Sequence, residues 1–452
     1  MSIANFPANL SIAIQQNYLK RAFELSLMAE LGYRDLASKE TFLNNIGETI
    51  TRTRPGLLAA VTTALNPASI TNLDDGLSPT TWSVEQYVLS INEYAQTMDL
   101  NIVGNMVGIA DQFVQNASRL GESSRRSLDF LARNTLLNAY MGGNTRVTAT
   151  LGAPGVTIAV DDIRGFQYVI PTSGSDTGRQ VPVSNTNTMA VSVNGTTYTL
   201  VAATADVSNT TTVIFPGSSS GNGISGTLTF SANVSTTNGT AGNAVVSAFA
   251  PSVIRAGNAA TTNALISSNI ITLNDIRKAV TVLRNNAVPD MGEGNYMAIV
   301  SPQTFQELYQ DSEFQILFRG TEFKSQEYRN FWVSQALGVS IAVTNLAPIQ
   351  SLNSLNIQRS IIAGKDVLIE AKFAGMKAIL EQKYSGEIHD VTEKNDVMMV
   401  TRTPLDRLKQ IVAQSWFFVG GWTAPTDQTA SSTYIPTASN AYYKRAVIIE
   451  HA

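Results

Sequence analysis

The chain has 452 residues, 44% of them hydrophobic and 15% charged, and carries a formal net charge of −4. This length calls for two or three compact units. The complete absence of cysteine excludes disulfides, thiolate nucleophiles, zinc fingers and iron–sulfur clusters. The acidic balance argues against a dedicated nucleic-acid binder, which would show a basic domain or stripe. A charged fraction well below about a quarter points to neutral surface, or to surface covered by other chains. The opening stretch MSIANFPANLSIAIQQNY lacks a basic region followed by a continuous apolar one, so no signal peptide is expected. No run of about 18 apolar residues occurs, so no membrane partner is expected either.

In chain order, Ile12, Leu19, Phe23, Leu27 and Leu31 fall near helical spacing and predict a helix over 10–31 with one apolar face. From Gly47, GETITRTRPGLLAAV alternates β-branched and polar residues until Pro55 and Gly56 break it. The turn cluster NLDDGLSPT at Asn72 and the strand-like WSVEQYVLSI at Trp82 complete a long two-stranded excursion. From Ile102 to Met141, apolar residues recur every three or four positions, through Val103, Phe113, Ala117, Leu120, Leu128, Leu136 and Tyr140. A helix of about 40 residues would be roughly 60 Å long, more than a small core needs. Gly121 is a place where it could bend or break, and Gly142-Gly143 supplies its stop.

Composition then shifts. Residues 146–256 are rich in Thr, Ser, Val, Asn and Gly, and between Gln180 and Ile254 the only charged residue is Asp206. Short alternating runs such as MAVSVNGTTYTLVA, with Asn194-Gly195 as a hairpin turn, predict an inserted β-sandwich of immunoglobulin-like character. Mixed α/β composition returns over 257–452. Thr272 or Asn274 would cap the helix of ITLNDIRKAVTVLRNNAV. The strand Tyr296–Val300 leads to Ser301-Pro302, a cap serine followed by proline at the first helical position. GVSIAVTN (Gly338), KDVLIEAKF (Lys365), MMVTRTPLDRLKQIVAQSWFFVGGW (Met398) and YYKRAVIIEHA (Tyr442) read as further strands.

Four stretches, GETITRTRPGLL, LGESSRRSLDFLARNTLLNAYMGG, YMAIVSPQTFQELYQDSEF and VAQSWFFVGGWTAPTDQ with the closing YKRAVIIEHA, resemble major capsid proteins of tailed bacteriophages with the Hong Kong 97 fold. Each is weakly specific alone; their order and spacing carry the likeness. The resemblance implies an α+β Hong Kong 97-like capsid fold with an inserted β-sandwich domain. It divides the chain into an N-terminal arm (1–45), an extended β-loop (46–100), a spine helix of the peripheral domain (101–145), the insert (146–256) and the rest of the peripheral domain with the axial domain (257–452). It implies a non-enzymatic subunit without cofactors. The subunit would assemble with itself as pentamers and hexamers in the host bacterial cytoplasm and end up in the virion head. Its implied partners are a separate scaffolding protein, a portal, a decoration protein, and packaged double-stranded DNA bound without sequence specificity. The stretch before the loop is too short for a scaffolding domain of its own. Two other classes fit the composition: a nanocompartment shell with the same fold, and a carbohydrate-binding virion adhesin built on the Thr/Ser-rich segment.

Arg52, Arg54 and Trp82 are candidate inter-subunit contacts. Arg119, Arg125, Arg126 and Arg133 are candidate inner-face basic residues that either face DNA or pair with neighbouring carboxylates. His389 and His451 are too far apart for a local metal motif and read as surface histidines. Asp74-Asp75-Gly76 is turn chemistry without a following ligand set, and Asp161-Asp162 reads the same way. GGNTR lacks the lysine of a phosphate loop. Ser123, Ser124 and Ser127 lack a nucleophile elbow. Trp332, Trp416 and Trp422 read as core or interface anchors. In the founding member of the resembled fold a loop lysine forms an isopeptide bond with a neighbour's asparagine; here no lysine occurs between Lys39 and Lys278, so no such bond is expected. Arginine cannot replace it, because a guanidinium stays protonated.

Overall fold

Alternation of buried and open positions organises strands such as Met189–Val193 and Ile411–Thr423, others such as Ala446–His451 are buried throughout, and a three-to-four repeat organises the long helix. The computed structural model describes residues 18–27, 32–42, 49–55, 60, 84–101, 109–141, 143–160, 163, 165–169, 181–206, 225–247, 253–259, 265–292, 294–319, 335–336, 338–352, 354–373, 388–402, 404, 406–408, 410–425 and 444–452. The chain divides into two compact units, one drawn from Met1–Thr51, Val88–Arg133 and Leu368–Thr423, the other from Arg52–Tyr87, Asn134–Val367 and Ala424–Ala452.

The first unit holds helix α1 (Tyr18–Leu27) and a six-stranded sheet. Its order is β1 (Ala37–Phe42), β19 (Leu368–Phe373), β22 (Ile411–Thr423), β21 (Val397–Arg402) and β20 (Ile388–Lys394), with β4 (Asn92–Asn101) also paired to β22. The predicted single strand from Met398 is therefore a hairpin of β21 and β22, in register from Met398 opposite Phe417 to Thr401 opposite Gln414. β22 alternates strictly: Val412, Gln414, Trp416, Phe418 and Gly420 are buried, with more open residues between them. Its inward residues meet Phe113, Ala117, Leu120 and Leu128 of helix α2 (Ile109–Met141), together with Phe23 and Leu100. Burying each such large side chain contributes roughly 1.5–3 kcal/mol.

Helix α2 has 33 residues, about 50 Å at 1.5 Å per residue. It runs through Gly121 unbroken, and the Ser124 hydroxyl donates to the Gly121 carbonyl at 2.8 Å. The predicted start at Ile102 lies outside the described residues, as do 10–17 and 28–31 of the first predicted helix. Strands β2 (Thr49–Pro55) and β3 (Val84–Ser90) pair as a two-stranded ribbon, in keeping with the predicted excursion, and the turn cluster at Asn72 lies outside the described residues.

In the second unit, one sheet takes the order β5 (Asn144–Arg146), β12 (Ala244–Ser247), β9 (Met189–Val193), β10 (Thr196–Ala205), β11 (Gly226–Val234) and β6 (Gly155–Val160). Its two ends meet: Val147 bridges Val160, and the Thr148 N–H donates to the Ala159 carbonyl at 2.9 Å. The strands thus close into one six-stranded barrel, which corrects the expected two-sheet sandwich. The reason is local: the chain leaving β5 pairs with the end of β6, which joins the two outer strands of the sheet. Val147, Ile158, Val191, Leu200, Leu228 and Val245 fill the interior. Asn194 (φ 50°) and Gly195 (φ 82°) form the two-residue turn between β9 and β10, as predicted. A short pair, β7 (Tyr168–Val169) with β8 (Val181–Pro182), lies within the same stretch of sequence.

The other large sheet has the order β13 (Val253–Arg255), β23 (Ala446–His451), β18 (Leu355–Ala363), β14 (Tyr296–Val300), β16 (Val339–Val343) and β15 (Gln335–Ala336), with β17 (Ile349–Leu352) also on β18. Helices α3 (Leu273–Asn285), α4 (Pro302–Leu308) and α5 (Ser312–Arg319) supply Ile276, Leu283, Phe305, Leu308 and Phe314 to a core shared with Ala298, Ile341, Ile362, Val447 and Ile449. Thr272, not Asn274, caps α3, in a capping box with Asp275. Ser301 caps α4, its Oγ accepting from the Thr304 N–H at 3.0 Å with Pro302 next.

Candidate functional site

The candidate contact residues sit on the ribbon and on α2. Arg52 is exposed on β2. Arg54 lies on the same strand, but its side chain, like all of Trp82, is outside the described residues. Along α2, Arg119 and Arg126 are exposed and Arg125 is half-buried. Arg133 departs from them: it is 7% exposed, and its guanidinium lies 4.1 Å over the Phe130 ring. Burial lowers its pKa below the ordinary guanidinium value, while Tyr33 and Asp129 act in the opposite direction. The heptad spacing 119, 126, 133 puts all three on one side of the helix. At the third position that side is covered, so the expected stripe of exposed arginines ends at Arg126.

Sequence reading missed the polar node of the first unit. Glu370 on β19 has no exposed surface, and Arg34 holds it from Nε to Oε2 at 2.8 Å and from Nη2 to Oε1 at 2.6 Å. The Trp422 indole donates to Glu370 Oε2 at 3.2 Å, and Arg34 also donates to the Asn395 carbonyl and lies 5.1 Å from the Phe418 ring centroid. Asp129 accepts from the Arg34 backbone N–H at 2.9 Å, and burial raises its carboxyl above the usual carboxylate range. Burial likewise lifts the Tyr33 phenol well above its ordinary value. One signal was available: in DVLIEAKF a lone acid interrupts an apolar run, and a buried carboxylate requires a partner.

The second unit holds two further polar groups. At one register level Arg255 (β13) and Arg359 (β18) flank Glu450 (β23), each donating from Nε to a separate carboxylate oxygen at 2.9 Å. On the opposite side of β23, His451 is 0% exposed, which corrects its reading as a surface histidine. Its Nδ1 lies 2.8 Å from Glu307 Oε2, and its Nε2 lies 2.9 Å from Thr304 Oγ1. Carboxylate, imidazole and hydroxyl stand in the order of a hydrolytic triad. Thr304 is also 0% exposed, so a substrate has no approach to that hydroxyl, and the group acts as a structural network. The His389 side chain is outside the described residues.

Among the described residues no group of three or more His, Cys, Asp or Glu could hold a metal ion, and no helix is long and apolar enough to cross a membrane.

No protein-family profile matches the chain, and no curated protein matches its sequence. Solved structures do align along nearly all of it. The capsid of Ralstonia phage GP4 aligns at 11% identity and TM-score 0.48 over 92% of this chain and 87% of that one. The capsid of cyanophage P-SCSP1u aligns at 11% identity and TM-score 0.46 over 94% and 89%. The capsid of a native GTA particle aligns at 10% identity and TM-score 0.41 over 95% and 90%.

Proposed function

We propose that this chain is the major shell subunit of a tailed-bacteriophage head, a structural protein that assembles with itself into a closed icosahedral container for double-stranded DNA. The observation that carries this reading is the succession of elements in the first half: the ribbon of β2 and β3, the sheet strand β4, then the 33-residue α2. A ribbon and a helix of about 50 Å supply edges for neighbouring copies, whereas a compact enzyme has little use for either. This is the order on which the sequence resemblance rests.

In this reading Arg52, Arg54 and Trp82 contact neighbouring subunits, and Arg119, Arg125 and Arg126 face the packaged DNA as sequence-independent counter-charges. The barrel forms a separate domain turned outward, toward neighbours, a decoration protein or the host surface. A separate scaffolding protein and a portal complete assembly in the host cytoplasm. Contacts between copies are noncovalent, individually weak and numerous.

Electron microscopy of the expressed protein, alone and with a co-expressed scaffolding partner, tests the proposal: closed shells are expected, and extracts holding only monomers or dimers would overturn it. Shells boiled in detergent should run as a single band near 48.6 kDa. A ladder of multimers would sink the noncovalent reading while leaving the shell intact.

A further inference from the structure

Six side chains close a ring between α4 and the sheet beneath it, through five hydrogen bonds and one close approach of a histidine nitrogen to a carboxylate oxygen. Starting at His451, the ring passes to Thr304 (2.9 Å), Ser301 (2.8 Å), Gln358 Oε1 (2.9 Å), from Gln358 Nε2 to Gln303 Oε1 (3.1 Å), from Gln303 Nε2 to Glu307 Oε1 (3.2 Å), and from Glu307 Oε2 back to His451 Nδ1 (2.8 Å). Ser301, Gln303, Thr304 and Glu307 come from α4 and its cap, while Gln358 and His451 face each other in register on β18 and β23. All but Gln303 are buried.

Each of the five hydrogen bonds needs one proton between its two heavy atoms, and the sixth contact, nitrogen to carboxylate oxygen, needs one to keep two lone pairs from facing each other. The two hydroxyls supply one each. Each glutamine turns its oxygen to one neighbour and its nitrogen to the other, so it also supplies one; turning the amide over leaves that number unchanged. A neutral imidazole supplies one and a carboxylate none. With the amides as the structure orients them, these five protons run one way through the five hydrogen bonds, which leaves Nδ1 of a neutral His451 facing Glu307 Oε2 lone pair to lone pair, both atoms buried, where such a defect is costly. One more proton on the His451–Glu307 pair fills every contact with a consistent direction: imidazolium to Thr304, Thr304 to Ser301, Ser301 to Gln358, Gln358 to Gln303, Gln303 to Glu307, and His451 to Glu307.

We propose that His451 is held as an imidazolium, protonated on both ring nitrogens, and that the ring is a proton-bound clasp fastening α4 to β18 and β23. On α4 the charged group facing His451 is Glu307. On β18 the facing residue is the neutral Gln358. Alternation along the strands turns Arg359, Glu450 and Arg255 to the other face of the sheet. His451 Nδ1 and Glu307 Oε2 lie 2.8 Å apart, and neither buried atom has a hydrogen-bond partner among the described residues, so a positive charge on the ring is what compensates the carboxylate oxygen there. The clasp stands independently of the shell reading.

The chain contains only two histidines, so [15N]histidine labelling of the full chain gives two ring systems, and His389→Gln assigns them. Solid-state NMR near neutral pH should find both nitrogens of His451 protonated; one bare ring nitrogen would overturn the proposal. Glu307→Gln supplies the sixth proton from its amide, so His451 should become a neutral ring with one bare nitrogen. Two protonated nitrogens persisting in that variant would equally overturn it. The wild-type spectrum decides the question even if the variant does not fold.

Discussion

Arg34 and Glu370, 336 positions apart in sequence, form a two-pronged ion pair with the carboxylate wholly enclosed. Coulomb attraction alone is weak evidence of net stability for such a pair, because taking both charges out of water is costly. Removing one partner, however, leaves the other buried and uncompensated. Arg34→Met should destabilise the first unit by about 3–5 kcal/mol. The double variant Arg34→Met with Glu370→Leu should lose clearly less. Denaturant unfolding followed by tryptophan fluorescence reads this, since Trp416 and Trp422 lie in the same unit.

The pair Gly420-Gly421 in β22 should tolerate no side chain. A Cβ at Gly420 would strike the Ala371 carbonyl, and one at Gly421 the Ser90 carbonyl. Both obstacles are backbone held in sheet pairing or at the end of β3, so they cannot swing aside. Alanine at either position should cost about 1–3 kcal/mol or block folding. Gly152→Ala, where nothing lies within 4 Å of the added carbon, should be close to neutral. Thermal melting of the three variants side by side tests the contrast.

The barrel's entry and exit are adjacent: Asn144 pairs with Val246, and the Ser247 N–H donates to the Gly143 carbonyl at 2.8 Å. With its own core and paired ends, the fragment 143–247 should unfold cooperatively when expressed alone. Replacing it in the full chain by a short turn should leave the rest folded. Circular dichroism melts of fragment and deletion variant check both halves; a fragment without a cooperative transition would show that the barrel depends on the rest of the chain.

Lys39 and Lys372 hold Asp396 at 2.8 and 3.0 Å. Burial pushes the Asp396 carboxyl up, but hydrogen bonds from the two lysines and their charges outweigh it and bring it below its ordinary 3.8. Stability from a lowered carboxyl is present above 3.8 and is lost as pH falls through the lowered folded value. Asp396→Asn should therefore cost less than about 1 kcal/mol near neutral pH, since the group is partly solvated. The gap from wild type should close in acid. Asparagine keeps the turn, because Asn395 and Asp396 have φ of 50° and 65° and asparagine tolerates that region. Denaturant midpoints measured from neutral pH down to pH ~2 follow the gap.

What the sequence by itself determined is local chemistry: the helical repeat of α2, the caps at Thr272 and Ser301, the Asn194-Gly195 turn, the missing cysteines, and the lysine-free stretch between Lys39 and Lys278. Each of these signals depends on residue types within a few positions, where i to i+4 neighbours and turn dihedrals set the outcome. Only the tertiary structure decided that the insert's strands close into a barrel, that Arg133 is covered while Arg126 is open, and that His451 lies inside a ring with Glu307 and Gln358. Those outcomes hang on strand register between distant segments. A slip of one residue would turn every side chain on the strand to the opposite face, so no reading of neighbouring letters places Arg34 on Glu370 or His451 beneath α4.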